Sequence, residues 1–216
     1  MRQPPGTVAR YTTAARINHW ITAGTLILLA VSGMALFHPA LFFLSALFGG
    51  GADDRAIHPW FGVVLLLSFS LLFIRFARHN LWGRDDSHWM GALRRVLAND
   101  EEHAPEVGRY NGGQKLIFWL MTLLILVLFI TGLVIWDTYF FGYTTIETKR
   151  VAQLAHSLAA VAIISVWIVH VYAALWVRGS VRGMTRGTVT AGWSWRHHRK
   201  WLRELASAPG EGAKRR

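Results

Sequence analysis

The chain of 216 residues carries ten histidines and no cysteine, and those two counts narrow the chemistry open to it. Without thiolates there is no disulfide framework, no thiolate zinc site, no iron–sulfur cluster and no C-x-x-C-H haem attachment. A metal or redox centre must rest on histidine, methionine, carboxylate or carbonyl ligands. Four histidines stand inside or at the ends of long apolar segments. His19 lies three residues beyond Arg16, His58 three beyond Arg55, His156 six beyond Arg150, and His170 eight before Arg178. His156 and His170 are 14 residues apart. At about 100° and 1.5 Å per residue they fall within roughly 40° of one helix face, about 21 Å apart along it. Each has a partner at its own depth, His58 at the outer level and His19 at the inner. Two facing imidazoles are what a low-spin electron-transfer haem needs, and a helical bundle supplies the gap for the porphyrin. His38 is a rival at the outer level, although its offset from His19 turns it about 100° off that face. For any one histidine a plainer role is open, a hydrogen bond to a neighbouring helix. Four at two matched depths are harder to explain that way.

The elements that must position them are membrane helices. Charged residues are only 16% of the chain and hydrophobic residues 53%, against roughly 25% charged in soluble domains. Ile17–Ala52, Ala56–Ile74, Leu116–Trp136 and Val151–Val177 contain no Asp, Glu, Lys or Arg. About 20 apolar helical residues cross a bilayer. Four such segments exclude a soluble globular protein. They define an all-α membrane protein, and with the four histidines the expectation is a four-transmembrane-helix bundle holding two stacked b-type haems. The spans are expected at about 17–37, 56–75, 116–136 and 151–177, in a single domain over 1–206 with a disordered cytoplasmic tail over 207–216. Pro39 ends the first helix. Leu41–Phe48 is apolar but too short to cross, and is placed at the outer interface. The second helix is expected to start around His58-Pro59, with proline in its first turn. Trp89–Leu97 is read as a short surface helix, and the third span begins after Asn111-Gly112-Gly113. Gly33, 14 residues after His19, shares its face at outer depth and is expected to clear space for the outer haem ring. Gly62 lies on the face of His58. Tryptophans cluster near span ends, as in an aromatic belt, and no internal repeat is visible.

The net charge of +11 raises nucleic acid as a partner, but the positions of the basic residues answer it. Twenty of the 23 lysines and arginines lie before the first span, between the second and third, or after the fourth. The positive-inside rule then puts both termini and the middle loop in the cytoplasm. The same charges serve contact with anionic lipid, so nucleic-acid binding is unnecessary. The first apolar run exceeds the roughly 7–15 residues of a signal peptide core and reads as a retained span. His79, His88, His103, His197 and His198 fall in polar segments and are assigned to surface or headgroup contact.

The chain resembles the cytochrome b (gamma) subunit of membrane-bound respiratory formate dehydrogenase, over about Tyr11 to Glu204. The stretches that carry the resemblance are His19-Trp20, Ser32-Gly33, His58-Pro59 with Phe61-Gly62, and the run from Val107 to Lys115. They continue with Thr131-Gly132, His156, His170, Trp176-Val177, Gly179-Ser180, Gly183-Met184 and His197-His198. The resemblance implies an outer haem on His58 and His156 and a cytoplasmic haem on His19 and His170. It implies a bacterial inner-membrane complex, itself assembling into a higher oligomer. A periplasmic molybdenum or tungsten subunit oxidises formate and an iron–sulfur subunit feeds the outer haem. A quinone, menaquinone or ubiquinone, is reduced beside the inner haem. The family's quinone segment corresponds to Asn111, Gly113 and Gln114, with Gly112 where alanine is expected. An amide donor there suits a quinone carbonyl, and glycine permits close backbone approach; the plainer role of Asn111 is a helix cap. Asp137 stands where a basic residue is expected, so no haem-propionate contact is carried over. Asp100, Glu101, Glu102 and Glu106 are candidate proton suppliers or simply solvated loop charges. Two alternatives are kept. One is the di-haem subunit of another membrane oxidoreductase, of nickel–iron hydrogenase or thiosulfate reductase type. The other is a haem-free transporter using histidines along a pathway, for which the fourth helix offers mainly Ser157 and Ser165.

Overall fold

The computed structural model describes residues 6–98 and 105–207. A short strand β1 (Thr7–Ala9) leads into α1 (Thr13–Phe37), a 3-10 helix (Pro39–Phe48) and α2 (Gly51–Phe76). A 3-10 turn (Ala77–Asn80), α3 (Arg84–Gly91) and α4 (Leu93–Leu97) follow, then α5 (Gly112–Ile135), α6 (Asp137–Phe140) and α7 (Ile146–Trp176). The chain closes with α8 (Ser180–Arg186), β2 (Thr188–Thr190), α9 (Ala191–His197) and α10 (Arg199–Ser207). Four helices, those containing α1, α2, α5 and α7, are long and apolar enough to cross a membrane. Asp100, Glu101, Glu102, His103 and the tail expected after Ser207 lie outside the described residues.

Every crossing helix begins earlier than its charge-free window. α2 starts at Gly51, with Asp53 and Asp54 in its first turn, so Pro59 sits inside the helix rather than at its start. Acidic residues at a helix N-terminus complement the exposed N–H groups and the dipole, and a membrane helix tolerates the proline. α7 starts at Ile146 and takes Glu147, Lys149 and Arg150 into its first turns. Thr145 Oγ1 accepts from the Thr148 N–H at 3.2 Å and fixes that end. His38 adopts an extended backbone between α1 and the 3-10 helix, where its Nδ1 accepts from the Ala40 N–H at 3.2 Å. Its exposed ring is thus a cap. Gly49 (φ 93°) ends the 3-10 helix in the left-handed region. The surface helix expected over Trp89–Leu97 is two shorter helices, α3 and α4, and Trp89 is buried.

The chain forms two compact units. The apolar one comprises Thr13–Arg75 and Trp119–Ala173. At its centre Leu26, Leu65, Ile125 and Ile163 pack together, one from each crossing helix. Thr22 and Ser68 join α1 to α2 through a buried hydroxyl pair at 3.1 Å. Its outward faces carry large exposed side chains such as Leu71, Ile74, Leu123, Ile130, Leu154 and Leu158. Such a surface is costly in water and suited to lipid. Among the described residues, the polar unit holds those before Thr13, those within Phe76–Phe118 and those after Ala173. There β1 and β2 pair antiparallel, Val8 opposite Val189. This small sheet was not foreseen, because three residues are too few for a period-two pattern to register.

Candidate metal centre: two histidine pairs in the helical unit

The four histidines meet as two pairs. His58 of α2 and His156 of α7 face each other with ring centroids 6.4 Å apart and planes at 67°. His19 of α1 and His170 of α7 do so at 6.3 Å and 47°. Leu26 is seven residues after His19, Leu65 seven after His58, and Ile163 seven from both His156 and His170. The apolar core therefore sits about 10 Å of helix rise from each histidine. The two pairs cap its opposite ends.

The spacing fits an iron atom between the rings. Two metal–nitrogen bonds of about 2.0–2.1 Å and two ring radii of about 1.1 Å sum to roughly 6.2–6.4 Å. Among the described residues no group of three or more His, Asp or Glu could hold a metal ion. Each pair thus offers two nitrogens, and a metal that brings its remaining ligands with it, as iron does in a porphyrin, would fit between them.

Neighbouring helices prepare the His58–His156 pair. Ser32 of α1 places Oγ 2.7 Å from His58 Nδ1, and Thr131 of α5 places Oγ1 2.9 Å from His156 Nδ1. Each hydroxyl is followed by a glycine that makes room for the same ring. A Cβ at Gly33 would lie 3.3 Å from His58 Cε1, and one at Gly132 3.5 Å from His156 Cε1. Gly33 thus clears space first for the His58 imidazole, where the haem ring itself is expected from the sequence. A Cβ at Gly62 would meet nothing within 4 Å. The His19–His170 pair is built differently: His19 Nδ1 is buried with no hydrogen-bond partner.

Asn111 and Gln114 belong to the polar unit and act on each other. Asn111 Oδ1 accepts from the Gln114 N–H at 2.9 Å, and Gln114 Oε1 accepts from the Asn111 N–H at 3.1 Å. This reciprocal cap opens α5. It uses the oxygen of each amide and leaves both –NH2 groups as donors. The close approach allowed at Gly113 is taken by Trp89, whose Cη2 would lie 2.9 Å from an added Cβ. At Gly112 an added Cβ would stand 2.9 Å from the Asp86 carbonyl oxygen, so alanine is excluded without movement of α3. Asp137 pairs with Lys149. Glu106 bridges to Arg203 at 2.8 and 3.0 Å on an exposed surface.

Several buried polar residues were not singled out in the sequence. His198, assigned to the surface, is 1% exposed. Its Nδ1 donates to the Gly108 carbonyl at 2.8 Å, and Arg10 donates to its Nε2 at 3.4 Å. Burial, and then the Arg10 charge, lower its pKa to about 3. Arg10, counted only as a topological charge, is 5% exposed. Its guanidinium lies 4.9–5.6 Å from the ring centroids of Tyr11, Tyr110, Trp193 and Trp201. Arg10 and Arg109 also donate to each other's carbonyl oxygens, at 2.8 and 2.6 Å. Burial pushes the Tyr110 hydroxyl upward, with Tyr11 adding to it. Asp86, 2% exposed, accepts from Lys115 Nζ and the Gly83 N–H, both at 2.7 Å. In the helical unit Asp54, one turn before His58, is fully buried with neither carboxylate oxygen hydrogen-bonded. Proximity in sequence signals none of these. The contacts of Arg10, Arg109 and His198 depend on segments brought together from far apart, 188 positions for Arg10 and His198.

Comparison with known proteins agrees with this geometry. The chain is 43% identical over 199 residues to the formate dehydrogenase cytochrome b556(fdo) subunit of Escherichia coli (strain K12), covering 92% of this chain and 93% of the relative. It is 36% identical over 193 residues to the nitrate-inducible formate dehydrogenase cytochrome b556(Fdn) subunit of the same strain, covering 89% of each. It is also 36% identical over 197 residues to the formate dehydrogenase cytochrome b556 subunit of Haemophilus influenzae, covering 91% of this chain and 83% of the relative. Residues 10–187 match the family described as prokaryotic cytochrome b561, and with both histidine pairs inside that match the chain belongs to the prokaryotic cytochrome b561 family.

Proposed function

We propose that the chain is the membrane-embedded di-haem cytochrome b subunit of a formate dehydrogenase, carrying electrons across the bilayer to quinone. The observation that carries this is the meeting of four histidines as two pairs at opposite ends of one apolar core. When bound, two b-type haems supply one-electron carriers at those two levels. His58 and His156 hold the outer haem, and His19 and His170 the inner. The grouping of basic residues supports a cytoplasmic position for both termini and the middle loop, in a bacterial inner membrane. The cytochrome b556 relatives, whose names attach them to formate dehydrogenase, supply the electron source. A formate-oxidising molybdenum or tungsten subunit and an iron–sulfur subunit dock outside.

At the cytoplasmic side Asn111 and Gln114 offer amide donors to a quinone carbonyl. Formate releases one carbon dioxide, one proton and two electrons outside; the quinone takes those two electrons and two cytoplasmic protons. Charge separation then follows from where the two reactions lie, with no proton channel through this subunit. In membranes holding the whole complex, formate should reduce b-type haem, and added quinone should reoxidise it. A purified chain without a b-type redox difference spectrum would overturn the reading.

A further inference from the structure

The two histidine pairs differ in one respect that bears on redox potential. Ser32 is fully buried, and its Oγ lies 2.8 Å from the Leu28 carbonyl oxygen as well as 2.7 Å from His58 Nδ1. A hydroxyl has one proton. A carbonyl only accepts, so at 2.8 Å that proton points to Leu28, since otherwise lone pair would face lone pair. Oγ is then the acceptor for His58, and Nδ1 carries the ring proton. Thr131 repeats the arrangement, with Oγ1 2.6 Å from the Val127 carbonyl oxygen and 2.9 Å from His156 Nδ1. Both rings are thereby held as the Nδ1–H tautomer, with Nε2 bare for a metal. An imidazole that donates its outer N–H becomes a stronger ligand base, which favours ferric iron and lowers the potential. At the other level His19 Nδ1 is buried without a partner, and no hydroxyl hydrogen-bonds His170 among the described residues.

We infer that Ser32 and Thr131 are positioning residues that fix the imidazole tautomers of the His58–His156 site and set its haem at a lower midpoint potential than the His19–His170 haem. This rests on the di-haem reading above. The order of potentials makes electron flow from the His58–His156 side to the His19–His170 side favourable. The Ser-Gly and Thr-Gly dipeptides are then two copies of one device, a hydroxyl that orients the ring beside a glycine that admits it.

The test is potentiometric titration, with ferric low-spin electron paramagnetic resonance, of the haem-loaded protein. In Ser32→Ala and Thr131→Val both haems should remain. The His58–His156 haem should shift about three- to tenfold toward its reduced form at fixed potential, with altered g values, and the other haem should not move. Ser32→Thr and Thr131→Ser should restore wild-type values. Retained haems with unmoved potentials would overturn the inference and leave the di-haem reading intact. A second measurement needs neither hydroxyl variant: the haem that disappears in His156→Ala should be the lower-potential one of the wild type. If it is the higher one, the inference fails. Absence of haem from the wild-type chain would defeat the functional reading instead.

Discussion

A metal-binding imidazole is only as well placed as the groups that hold its ring, and the His58 ring is held by the Ser32 hydroxyl beside a glycine that admits it. The tightest neighbour is Gly33, where even a Cβ would come within 3.3 Å of His58 Cε1. Leucine must push the ring away or force α1 outward, and overpacking of this kind costs about 1–3 kcal/mol. Gly33→Leu should therefore lose most of the His58–His156 haem and keep the other. Gly24→Leu, at a glycine whose Cβ would meet nothing within 4 Å, should keep both; haem content and spectra of the two variants decide. The four paired histidines were legible because long charge-free segments gave each a depth. His198 was not, because a histidine among arginines in a polar segment looks solvated. Its burial has a consequence of its own. Below about pH 6.5 the unfolded chain takes up a proton that the buried ring refuses until about pH 3. The polar unit should thus lose stability as pH falls through that window and be insensitive to this group above it. Hydrogen exchange of Thr188–Ser207, corrected for intrinsic rates, should quicken as pH falls from 7 to 4.5. In His198→Gln, which keeps a donor for Gly108, that dependence should be smaller.

Helix ends follow capping chemistry, and a count of apolar residues misses it. The charge-free windows located all four crossing helices, yet α2 and α7 each begin about five residues before them, because Asp53 in the first turn of α2 and the Thr145 cap of α7 favour starts outside the apolar run. Proline at position 59 suggested a helix start and proved to be internal. The start of α5 matters most for function, since Asn111 and Gln114 are at once a cap and candidate quinone donors. The two roles separate by substitution. Asn111→Asp keeps the cap oxygen and removes the –NH2 donor, whereas Asn111→Ala removes both and costs about 1 kcal/mol of helix stability. Both variants should retain two haems. Haem reduction by formate should proceed at the wild-type rate, and reoxidation by quinone should slow at least tenfold in each. Normal reoxidation in Asn111→Asp would reduce this residue to a cap.

At the scale of the molecule, one apolar layer separates two ligand levels, and α7 contributes an imidazole to each. The pairing of levels was readable from helical phase and depth, because both are regular along a helix. The role of Ser32 and Thr131 was not visible in the sequence, where only Gly33 was read as making room, until the structure put each hydroxyl against a ring of the next crossing helix. The proposed function makes these levels two separate bis-histidine haem sites. Its most direct test is haem stoichiometry per chain, by pyridine haemochrome assay on purified protein. Two haems are expected in the wild type and one in each of His156→Ala and His170→Ala, with a different spectral component lost in each. Two haems retained in either variant, or the same component lost from both, would contradict it.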